Sequence, residues 1–97
     1  MSIQDRFEIF HAANPHIYVL FRRFVREARI AGFNKYSARA IIHRIRWHLD
    51  VEITPTDDAE THPFKINDHF SSRYARLMVA LNPSFEGFFE LRELKTE

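Results

Sequence analysis

Three breaks constrain this chain more than any other feature: Asn14 followed by Pro15, then Gly32, then Asn82 followed by Pro83. Proline fixes φ and has no amide hydrogen, so it opens a helix well and continues one badly, while glycine accepts the left-handed conformation that ends one. Around these breaks the apolar residues recur every three or four positions, the period of a helix with one buried face. The first segment, IQDRFEIFHA, puts Ile3, Phe7 and Phe10 on one face, offers Ser2 as its cap and should stop near Ala13. A second helix, capped by Asn14 and begun by Pro15, carries a stripe of Ile17, Leu20 or Phe21, Phe24, Ala28 and Ala31 up to Gly32.

A third helix is expected from a Ser37 cap, burying Ala38, Ile41, Ile45 and Leu49, with Ile42 at the boundary. VEIT, residues 51–54, then alternates and is β-prone, residues 55–63 read as an acidic loop, and FKIN, residues 64–67, reads as a second short strand. A hairpin joining the two is the simplest connection. The helical phase returns in DHFSSRYARLMVAL, with Ser71 or Ser72 as cap and with Tyr74 or Ala75, Leu77 or Met78, and Leu81 turned inward. The tail SFEGFFELREL fits a final strand interrupted by Gly87, or a short helix. The expected class is therefore α+β, mainly helical, with a small β-hairpin.

Ninety-seven residues are enough for one domain, 1–97, around one core. Cysteine is absent, so neither a disulfide nor a thiolate metal site contributes and stability rests on packing, which suits a reducing compartment. No apolar run approaches the length needed to cross a bilayer, and residues 1–10 lack the pattern of a signal peptide. These features point to a cytoplasmic protein that does not enter membranes. Ten phenylalanines, three tyrosines and one tryptophan are a large apolar supply for so small an interior, from which self-association as a homodimer is expected.

The net charge of +1 hides an uneven distribution. Residues 16–49 hold eight Arg or Lys against Glu27 alone, whereas residues 50–70 hold six acids against Lys65. Arg22, Arg26 and Arg29 share one side of the second helix, and the phase of the third turns Arg39, His43 and Arg46 away from the core. Arginine outnumbers lysine in the basic half, and its planar fork suits paired contacts to phosphate, guanine edges or carboxylates. The plainest reading of the same face is a solvated surface, with contact to an acidic protein or self-association as further alternatives. Phe21, Phe24, Phe33, Tyr36 and Trp47 interleave with Arg22, Arg23, Arg39 and Arg46, as on a stacking surface for nucleic acid, although a chain this short needs most of its aromatics for the core. Trp47 is the exception, lying between the core and basic faces. Six histidines would make binding sensitive to mildly acidic pH.

Enzymatic patterns are weak. Asp57, Asp58 and Glu60, near His62, Asp68 and His69, lack any recognised metal-ligand spacing, and Ser71 and Ser72 lack the glycine pattern of a nucleophile elbow. No catalytic, cofactor or metal role is assigned to any residue.

The order helix, turn, helix, hairpin over residues 14–67, the centre of the chain, resembles the winged helix-turn-helix family. That resemblance implies binding of double-stranded DNA through a recognition helix at 37–49. Arg39, His43 and Arg46 would then face the groove, Lys35 and Tyr36 would meet phosphate near the helix start, and Lys65 would mark the wing; Arg22 and Arg26 extend the basic surface. The preceding helix is long for that family, and Asp57, Asp58 and Glu60 in the wing loop would be repelled by phosphate. Over most of residues 14–92, the stretches NPHIYVLFRRF, RIRWHLD, FKINDHFSSRYARL and NPSFEGFFELR together resemble small phage and prophage proteins. This second likeness implies a DNA-associated accessory protein, or an adaptor or inhibitor that binds a host protein without catalysis.

Overall fold

A computed structural model describes residues 1–52 and 66–89. Its first helix, α1 (Ile3–Ala13), starts where Ser2 and Asp5 satisfy each other: the Ser2 hydroxyl accepts from the Asp5 amide at 3.1 Å, and the Ser2 amide donates to the Asp5 carboxylate at 3.3 Å. The second, α2 (Pro15–Ile30), has proline at its first position as expected. Asn14, however, does not cap it. The side chain turns back to donate to the Phe10 carbonyl at 3.0 Å, closing α1 instead.

Gly32 ends α2 at a φ of +109°. Its amide donates to the Arg29 carbonyl at 3.0 Å and that of Phe33 to the Ala28 carbonyl at 3.1 Å, the paired bonds of a Schellman terminus. The third helix, α3 (Ala38–Trp47), opens on Ser37, whose hydroxyl accepts from the Ala40 amide at 3.2 Å. It runs on through a π-helical turn (His48–Glu52). After a short 3-10 turn (Asp68–Phe70) comes α4 (Ser71–Leu81), and then another 3-10 turn (Pro83–Phe85). Asn67 organises the entry to α4 by accepting from the His69 amide at 2.9 Å, a task expected of Ser71 or Ser72. Asn82 closes the exit, donating through its side-chain amide to the Met78 carbonyl and the Tyr18 hydroxyl, both at 3.2 Å.

α3 lies between α2 and α4, and α1 packs on α2 and the 3-10 turn before α4. The core contains Ile17, Phe21, Phe24 and Val25 of α2, Ile41, Ile42 and Ile45 of α3, and Tyr74, Ala75 and Met78 of α4. Phe7, Leu49, Ile66, Phe70, Phe85, Phe88 and Phe89 close it. Both residues of the Tyr74 and Ala75 alternative are buried, and Ile42 is wholly interior because α3 has neighbours on two sides. Ala31 and Leu81, expected inside, are exposed beyond the last packed turns of their helices.

The α+β class and its winged-helix-like core are overturned: no strand is present among the described residues. Val51 and Glu52, the start of the first expected strand, belong to the π-helical turn. Leu49 keeps the buried phase of α3, and Glu52 is drawn back to Arg44 and His48, so the helical path continues through Val51 and Glu52, where the alternating run suggested that extension begins. Ile66 and Asn67 lead directly into the 3-10 turn before α4. The remainder of the expected hairpin, residues 53–65, lies outside the described residues. Tyr36 and Phe89 form a single parallel bridge. In the tail, Pro83–Phe85 and Gly87, at a φ of +82°, bring Phe88 and Phe89 into the core; residues 90–97 lie outside the described residues.

Candidate nucleic-acid interface

The position of α3 between two neighbours sorts its cations into three sets. On one flank Arg44 stands over the Phe24 ring of α2, 4.4 Å from its centroid, and pairs with Glu52. His48 joins them, its Nδ1 3.4 Å from the Glu52 carboxylate and its ring edge-on to Phe24 at 5.5 Å. The Arg44 hydrogen bond holds the Glu52 carboxyl below its ordinary value, with His48 adding to the effect. Arg23 approaches Phe24 as well, at 5.3 Å.

On the other flank Arg46 donates to the Ile66 carbonyl and pairs with Asp68 at 2.7 Å. It fastens α3 to the segment entering α4, so the expected groove-facing role of Arg46 is replaced by a structural one. Its exposure agrees: 28% of the side chain reaches solvent.

Between these flanks a third set projects outward. Arg39, His43 and Trp47 follow one another at intervals of four, and all three are exposed. Lys35, just before the helix, is exposed too. Glu27 is the one acid in residues 16–49, so residues 39–47 contribute no carboxylate to this ridge, and Asp50, three residues after Trp47, is the next acid along the chain.

The other expected site residues divide. Arg26 is exposed and Arg22 half-buried on the outer side of α2. Their neighbour Arg29 is used internally: it lies 3.6 Å from the Phe85 centroid and donates to the Ser84 carbonyl at 2.8 Å, fixing the turn after α4 onto α2. Tyr36 is half-buried, its amide donating to the Phe88 carbonyl at 3.0 Å and its ring edge-on to Phe33 at 5.1 Å. It anchors the α2–α3 connection to the tail. Lys65, and with it Asp57, Asp58, Glu60 and His62, lies outside the described residues. The structure thus leaves Lys35, Arg39 and His43 exposed and puts Trp47, which the sequence set between the core and basic faces and among the aromatics of a stacking surface, in one row with Arg39 and His43. Its spacing of four from His43 and eight from Arg39 is the signal that places it in their row.

Comparison with family models, curated proteins and solved structures finds no match.

Proposed function

We propose that the protein is a non-catalytic nucleic-acid-binding module that lays the outer ridge of α3 against double-stranded DNA. The observation supporting this reading is the partition of the α3 arginines: Arg44 and Arg46 are consumed by Glu52, Asp68 and the Ile66 carbonyl, while Arg39 stays exposed, as do His43 and Lys35. Exposed cations that make no ion pair among the described residues meet a polyphosphate without having to break an internal pair first. The positive end of the α3 dipole, next to Lys35 and Arg39, favours the same ligand. Arg26 on α2 is a further candidate for backbone contact. Of the acids in residues 50–70, Glu52 and Asp68 are taken up by Arg44 and Arg46, and Asp57, Asp58 and Glu60 lie outside the described residues, so the adaptor or inhibitor alternative gains no structural support here.

The test is a salt series against a blunt duplex. About three neutralised phosphates correspond to a slope near −2.7 in log affinity against log salt, or roughly a forty-fold loss between 50 and 200 mM. Arg39→Ala should flatten that slope by about one unit. Arg46→Ala should leave the slope of the folded protein unchanged and lower its thermal stability instead, since it removes a clamp and not a phosphate contact. Absence of duplex binding at low salt would remove the proposal; recovery of an acidic protein partner by the same ridge would replace it.

A further inference from the structure

The ridge ends in a residue that phosphate binding does not require. Trp47 sits in the last turn of α3 with 59% of its surface exposed, and it has no ring, cation or hydrogen-bond partner among the described residues. Phe33, about as exposed, is held edge-on by Tyr36, so the unengaged indole is a distinct feature. Val51, one turn further on, is exposed as well and continues the apolar end of the row. Cations at one end and a bare aromatic face at the other form the pairing by which single strands are held, with phosphates on the cations and bases on the ring.

We propose that Trp47 stacks on an unpaired base, so that the preferred ligand is DNA with a single-stranded segment beside a duplex. This rests on the nucleic-acid reading given above. A duplex groove presents base edges, and its base faces are already stacked on one another, so an indole on a helix finds a free π-face only where pairing ends. The spacing suits such a junction. Eight residues from Arg39 to Trp47 span about 12 Å along the helix, the rise of roughly three to four nucleotides of one strand. Arg39 and Lys35 then hold the duplex end while Trp47 takes a base just beyond it.

The experiment uses the full chain with three synthetic probes: a short blunt duplex, the same duplex with a five-nucleotide thymidine overhang, and single-stranded oligothymidine. Labelled-DNA anisotropy gives the affinities. Protein emission reports stacking directly, because Trp47 is the only tryptophan in the chain. The overhang probe should bind roughly 5- to 150-fold more tightly than the blunt duplex, with quenched indole emission. Trp47→Ala should abolish that preference, so that the overhang and blunt probes bind it equally, while Trp47→Phe should keep part of it. Equal affinity for blunt and overhang probes, or binding of the overhang without quenching, would overturn the proposal while leaving duplex binding intact. Oligothymidine bound as tightly as the overhang probe would also overturn it, showing a ligand with no duplex component. Failure to bind any of the three probes at low salt would overturn the nucleic-acid reading and this inference together.

Discussion

Tyr74 carries a polar atom into the centre of the core. It is fully buried, edge-on to Phe7 at 4.7 Å and stacked near Phe21 at 5.6 Å, and its hydroxyl has no hydrogen-bond partner among the described residues. Burial pushes the phenol above its ordinary value of 10.0. The sign of the linkage follows: the unfolded phenol ionises near 10 while the folded one stays neutral, so the contribution to stability is full below pH 10 and lost as pH rises beyond it. Tyr74→Phe removes an unsatisfied hydroxyl and keeps the ring, and is expected to stabilise the fold by up to about 1 kcal/mol at neutral pH. It should also reduce the fall in stability above pH 10. Urea denaturation of both proteins at neutral and alkaline pH checks this; a clear loss of stability in the variant at neutral pH would count against an unpartnered hydroxyl.

At the scale of elements, the connection from α2 to α3 decides how the candidate ridge is presented. Gly32 ends α2, Tyr36 is tethered to the Phe88 carbonyl, and Ser37 caps α3, so the chain between the helices is held at three points. A Cβ at Gly32 would meet nothing within 4 Å, which leaves the positive φ as the whole penalty of a side chain there. Gly32→Ala should therefore cost about 1–2 kcal/mol through backbone strain. Chemical denaturation should show this loss with the circular dichroism of the folded state unchanged; an unaltered midpoint would mean that the connection relaxes into another conformation. The two ends of this connection were legible in Gly32 and Ser37, because termini are local chemistry. The tether of Tyr36 was not, because its partner lies 52 residues away.

For the molecule as a whole, the high aromatic content suggested an interior too small to hold it, yet Phe7, Phe21, Phe24, Phe70, Phe85, Phe88 and Phe89 all enter the core. A dimer would have to use other groups. Val19 and Ile30 are exposed on the same outer face of α2, and Ile9 and Leu81 are exposed elsewhere. Self-association through α2 predicts a mass in sedimentation that rises with concentration, and Val19→Ser should reduce the rise; a constant monomer mass would reject the dimer. The three helices before residue 50 and the one before Asn82 were readable from the sequence, since apolar periodicity and capping depend on residues within a few positions of one another. So was the outward phase of Arg39 and His43. Val51 and Glu52 were misread as the start of a strand because alternation over four residues is too short to oppose a helix already running with Leu49 in its buried phase. Only the tertiary structure decided which cations remain free. Phase alone marks Arg39 and Arg46 alike as outward, but the chain around Ile66 and Asp68 passes beside Arg46, and a guanidinium next to a carboxylate and a carbonyl pairs with them before it meets any ligand.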